Sequence, residues 1–138
     1  MSRARVKVRS VVPVLGAIYK ADLHGAIIDN GWQATHRVLV ILERDIKRRT
    51  FKCVFGAWEH FPKKCVCIDP GTRWSEPFGN WMRKRTHFAA CATVHNIPFE
   101  RIIERIGDQL VPAELFDAID EVAAFADLRL MHRNIPKN

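Results

Sequence analysis

Thr35 to Gly71 reads THRVLVILERDIKRRTFKCVFGAWEHFPKKCVCIDPG, and the fold class follows from how this stretch is divided. Val38 to Leu42 is an unbroken β-branched and aliphatic run, the composition of a strand buried on both faces. Glu43 to Arg49 interrupts it with polar residues. From Thr50 to Trp58, Phe51, Cys53, Phe55 and Ala57 fall at even spacing, which gives a second strand one apolar face. Lys64 to Ile68 forms a third short strand, closed by the turn signal Asp69-Pro70-Gly71. These runs predict a small antiparallel sheet.

Upstream, residues 3–12 alternate as RARVKVRSVV, with Arg3, Arg5, Lys7 and Arg9 on one face of an extended strand. Cations spaced ~6.5–7 Å apart along a strand can track phosphates, and they can equally protect an edge strand from aggregation. Pro13 to Trp32 fits either a helix interrupted by Gly16 and Gly25 or two short strands, ending at an Asn30-Gly31 turn. Downstream the composition turns helical. Ser75 is placed as an N-cap with Pro77 just inside. Phe78, Trp81, Met82, Phe88, Ala89 and Ala92 then predict a helix from about Pro77 to His95, with Arg83-Lys84-Arg85 on its solvated side. Phe99, Ile102, Ile103 and Ile106 form the stripe of a second helix that Gly107 would cap. Pro112 opens a last helix to about Arg133, acidic in its first turns and basic in its last. The expectation is one domain over residues 1–138, of class α+β: an antiparallel sheet from the N-terminal half packed against two or three C-terminal helices, with Val40 and Ile103 in the core.

Of 138 residues, 22 are Lys or Arg and 15 Asp or Glu, a net charge of +7. Its distribution is uneven: residues 1–64 carry +8, residues 65–98 carry +2 and residues 99–138 carry −3. A positive sheet half favours acidic partners, nucleic acid first. Apolar runs fall short of the ~18 residues of a membrane helix. The basic start leads into no signal-peptide core, so the expected location is cytoplasmic. Cys53, Cys65, Cys67 and Cys91 are too few and too irregular for a disulfide scaffold and read as reduced core thiols.

Several constellations carry possible chemistry. Phe88–His95, Asn96-Ile97-Pro98 and Phe99–Ile106 have the proportions of a helix-turn-helix, but the second helix would expose Glu100, Arg101, Glu104 and Arg105, a neutral set unsuited to lying beside phosphates. His87, Cys91 and His95 recur every four residues, and Cys53, His60, Cys65 and Cys67 gather near the sheet; neither set has zinc-motif spacing, so no metal and no cofactor is expected. A cysteine hydrolase would pair Cys91 with His36, oriented by Asp69 or Asp45. Walker, GxGxxG, GxSxG and kinase signatures are missing from the sequence, which speaks against the common nucleotide enzymes. The leading expectation is a non-enzymatic binding module that takes nucleic acid through Arg3, Arg5, Lys7 and Arg9 and through Lys47, Arg48 and Arg49 at a hairpin tip. A protein-interaction subunit or inhibitor meeting an acidic protein surface is the alternative, and the hydrolase comes third. Trp32, Trp58 and Phe61 are candidates for stacking on single-stranded bases.

Overall fold

The computed structural model describes residues 11–26, 35–58 and 64–134, with backbone alone for 129–134. Within them run strands β1 (Ile18–Asp22), β2 (His36–Asp45), β3 (Thr50–Ala57), β4 (Cys65–Ile68), β5 (Thr86–Pro98) and β6 (Ile102–Arg105), followed by helix α1 (Ala113–Asn134). A 3-10 segment, Arg73–Trp81, joins β4 to β5. The strands form one antiparallel sheet in the order β4-β5-β3-β2-β1-β6. The class is therefore α+β.

The Val38–Leu42 run is buried at all five positions, as a strand with cover on both sides requires. Pairing fixes its faces. Ile18, Val40 and Val54 stand in register on one side of the sheet, and Tyr19, Leu39 and Phe55 on the other. The hairpin from β2 to β3 turns through residues 46–49, where Asp45 Oδ1 accepts a hydrogen bond from the Arg48 amide at 3.0 Å. Arg49 closes the turn in the left-handed region, at φ 56°.

Two predicted helices are strands. Residues 86–98 form β5, which lies between β3 and β4 in the sheet. The stretch is buried from Thr86 to Ala90 and again from Ala92 to Val94. A nearly continuous apolar run matches a 3.6-residue period as well as a two-residue one, so periodicity could not separate the two. The helix is also cut short at Gly79, whose φ of 57° breaks the 3-10 segment. Residues 102–105 form the edge strand β6 against β1, preceded by a single 3-10 turn at Phe99–Arg101. Phe99 is buried, but Ile103 is 48% exposed, so it is not the core anchor its stripe implied. The helix-turn-helix falls with these two helices. The sheet likewise draws β5 and β6 from the C-terminal half, and α1 is the one α-helix among the described residues. It is not long and apolar enough to cross a membrane.

α1 keeps to its predicted span. It buries Leu115, Ile119, Val122, Ala123 and Ala126, one stripe at helical spacing, and Val122 and Ala126 cluster with Ala90 of β5. Its far end is tied down by charge. Lys52 of β3, only 8% exposed in its side chain, donates to Asp127 Oδ2 at 2.7 Å and lies 3.4 Å from Glu43. His95 Nε2 lies 2.9 Å from the other oxygen of Asp127. Burial alone would lower the Lys52 pKa, but the hydrogen bond and charge of Asp127, with Glu43 behind them, raise it above the ordinary 10.5.

The two-sided core makes Ile41→Ala cost about 2–5 kcal/mol, while Ile103→Ala on the exposed edge changes stability by about 0.5 kcal/mol or less. Chemical denaturation of the two variants measures both, and equal losses would contradict the fold. Asp127→Ala, which leaves Lys52 with Glu43 alone, should lower stability by about 1–3 kcal/mol. Since the folded Lys52 pKa is the higher one, the native contribution is complete below pH 10.5 and fades as pH rises through the folded value. The difference between wild type and Asp127→Ala should therefore hold steady across neutral pH and shrink in strong alkali.

Candidate binding site

At the end of the sheet remote from the hairpin turn, β1, β2, β3 and β6 frame a cleft of about 530 Å³. Its polar groups come from distant parts of the chain. Lys20 projects from β1, His36 from the start of β2, and Glu104 from β6, while Arg37 borders the cleft with its guanidinium turned to the other face; Trp58, just past β3, and Trp81, at the end of the 3-10 segment, supply the aromatic walls. Lys20 is opposite Val38 on one side and Glu104 on the other, and the β1–β6 register slips between Lys20 and Ala21. A bulge of this kind bends the strand and re-aims the side chains beside it.

Gly56 lines the cleft as well, and the sequence context explains why a glycine stands in mid-strand. A Cβ at this position would meet Thr86 Cγ2 at 2.8 Å and the Phe88 ring at 3.0 Å. Opposite Gly56, β5 bulges strongly: Val54 pairs with Thr93 but Gly56 with Phe88. Phe88 in turn stacks on Phe78 at 5.5 Å, and Phe78 on Trp81 at 6.1 Å. That aromatic chain holds Trp81 at the cleft wall.

The charged groups here differ in their engagement. Arg37 lies over the Phe55 ring, with its guanidinium carbon 5.2 Å from the centroid. Lys84 Nζ sits 4.8 Å over the ring of Trp58, which is 51% exposed. Among the described residues, Lys20, His36 and Glu104 make no ion pair and no side-chain hydrogen bond, although Lys20 and Glu104 are cross-strand partners. A half-buried ammonium, a carboxylate and an imidazole thus open into one cleft without partners among the described residues.

Of the predicted nucleic-acid-binding cations, Lys47, Arg48 and Arg49 are exposed at the hairpin tip, as expected. Arg49 also has a packing role: its guanidinium lies 5.1 Å from the Phe99 ring centroid and its carbonyl accepts from the Phe99 amide. Arg3, Arg5, Lys7 and Arg9 lie outside the described residues, as do Trp32, His60 and Phe61. The tip and the cleft are at opposite ends of β3, on the order of 25 Å apart at ~3.4 Å per residue, so the structure does not gather them into one site. Trp58 was visible in the sequence as a stacking candidate. Lys20 and Glu104 were not, because only strand pairing brings them together.

The predicted hydrolase set is dispersed. Cys91 lies mid-strand on β5 and packs with Ala57, Ala89 and Cys65, away from any helix N-terminus that would lower its pKa. Asp69 is paired with Arg85 at 2.6 Å, and Asp45 organises the hairpin turn. Cys53 is fully buried, which drives its thiol pKa well up, and the Cys65 thiol is raised by burial and by neighbouring Cys67. Among the described residues no group of three or more His, Cys, Asp or Glu is arranged to hold a metal ion. No protein-family model and no curated protein matches the sequence.

If Gly56 is glycine to admit Phe88, then Gly56→Ala should cost about 1–3 kcal/mol through overpacking. The paired variant Gly56→Ala with Phe88→Leu should recover part of that loss in the same thermal unfolding assay. Full additivity of the two changes would show that the rings are not what excludes a side chain.

Proposed function

We propose that the protein binds single-stranded nucleic acid, with Trp58 as the stacking platform and the cleft behind it holding the strand. The observation that carries this reading is the half-exposed Trp58 ring with a lysine ammonium 4.8 Å above it, at the mouth of a cleft that also presents Lys20 and His36. Stacking on an aromatic face beside phosphate-binding cations is how proteins hold single strands with little regard to sequence. A duplex keeps its bases stacked internally and offers nothing to Trp58. Lys47 and Arg48, exposed at the far end of β3, offer a second, separate pair of cations to the backbone of a longer strand. The positive balance of residues 1–64 favours the approach of a polyanion over this end of the chain.

Fluorescence anisotropy with labelled single- and double-stranded oligonucleotides tests the proposal. Single strands should bind more tightly than duplex of the same sequence. Trp58→Ala should weaken single-strand binding by about 1–3 kcal/mol. The double variant Lys47→Ala/Arg48→Ala, chosen to spare Arg49 and its contact with Phe99, should reduce the salt slope of log K by about one to one and a half, since each single-strand phosphate contributes ~0.7. Unchanged affinity in Trp58→Ala would remove the stacking platform. No binding of either oligonucleotide at low salt would discard nucleic acid and leave an acidic protein surface as the partner to pursue.

A further inference from the structure

We infer that the cleft is a pocket for one nucleotide of the bound strand, and that it favours guanine because Glu104 meets the base edge while Lys20 meets the phosphate. This rests on the single-strand reading above and adds the identity of the unit that enters the cleft. A volume of about 530 Å³ lies within the roughly 300–1,000 Å³ of sites that enclose small molecules, and it is bounded by two indole rings. Planar apolar walls call for a planar aromatic ligand.

The polar groups narrow the ligand further. Lys20 is half-buried, carries three donors and has no carboxylate partner among the described residues, so it is equipped to take an anion. His36 borders the same space. Glu104 makes the opposite demand. An ionised carboxylate only accepts hydrogen bonds, and it repels a phosphate, so it must face the part of the ligand that donates. That Lys20 and Glu104 stand opposite each other without pairing leaves both free for a ligand that is anionic at one end and donating at the other. A nucleotide has this polarity. Among the bases, guanine alone offers two adjacent donors, N1–H and the N2 amino group, to a single carboxylate. Adenine and cytosine place an acceptor beside their amino donor, and uracil flanks its one N–H with two carbonyl oxygens.

Isothermal titration calorimetry of the full chain with GMP, AMP, CMP and UMP, beside a mixed-sequence single-stranded oligonucleotide, tests the inference. GMP should bind best. Glu104→Gln should lower the preference for GMP over AMP roughly tenfold, the scale of a lost bidentate base contact. Lys20→Gln should weaken all four mononucleotides alike. Both residues border solvent, and matched unfolding temperatures establish that the variants fold. Oligonucleotide binding without any mononucleotide binding would overturn the pocket and leave the single-strand reading standing. GMP binding without oligonucleotide binding would do the reverse, making this a site for free nucleotide. An unchanged base preference in Glu104→Gln, or a wild type that prefers AMP, would overturn the role given to Glu104.

Discussion

The central strands of this sheet are buried on both faces, and that constraint organises everything around them. Val38 to Leu42 of β2 and Phe51 to Ala57 of β3 leave no solvent-facing row. A sheet of this composition is stable only if the chain supplies cover. On the Val40 side the cover comes from α1 and from the 3-10 segment, which meets the sheet through Phe78 on Phe88. β5 had to become strongly bulged and rich in small residues to lie beside β3 under this cover: Ala89, Ala90 and Ala92 occupy the stretch where the register slips. Gly56 is the complementary concession on β3. The cleft is then the part of the same side, beyond the reach of α1, where Trp81 and Trp58 border the sheet without closing over it.

The hairpin from β2 to β3, strand β4 and helix α1 were legible because each carries a signal that only one structure satisfies. The β2 run is too short and too β-branched for a helix, and the long acidic-to-basic segment after Pro112 is a helix on length and charge order alone. Residues 86–106 were misread for the converse reason. A strand buried on both sides has no period to detect, and its alanines, chosen for close packing next to a bulge, raise helix propensity for an unrelated reason. β6 misled through coincidence: Phe99, Ile102, Ile103 and Ile106 match a helical stripe, yet Ile103 points outward from an edge strand. The same limit hid the cleft. Lys20 and Glu104 are 84 positions apart and meet only because β1 pairs with both β2 and β6.

Net charge proves a poor guide to how many cations are available for a ligand. Arg44 donates to the Pro13 carbonyl at 2.6 Å, Arg101 to the carbonyls of Asp22 and His24, and Lys52 is enclosed between two carboxylates. Arg73 and Arg85 each hold an acidic partner. These charges are part of the architecture, holding loops and α1 to the sheet. Lys20, Lys47 and Lys84 are bound by no carboxylate among the described residues, and two of them stand at the cleft or its rim. For the proposed ligand, the positive field of the chain would therefore serve approach, while contact would fall to few groups.

Lys84 and Trp58 show how an exposed aromatic can be kept ready without becoming an adhesive surface. In the free protein the ammonium shields one face of the indole, at a distance where an exposed cation–π contact contributes about 0.5–1 kcal/mol. A base arriving on the proposed path must take that face or the opposite one. Taking the opposite face leaves the lysine in place. Taking the same face displaces it, but stacking contributes about 1–3 kcal/mol, and the freed ammonium is then beside the phosphate that came with the base. Both routes favour the bound state, and only a ligand that brings a ring and an anion together gains from the second. An isolated apolar surface would have to remove the lysine and leave its charge uncompensated, so on the proposed reading the pair would discriminate against apolar contacts while remaining open to a nucleotide.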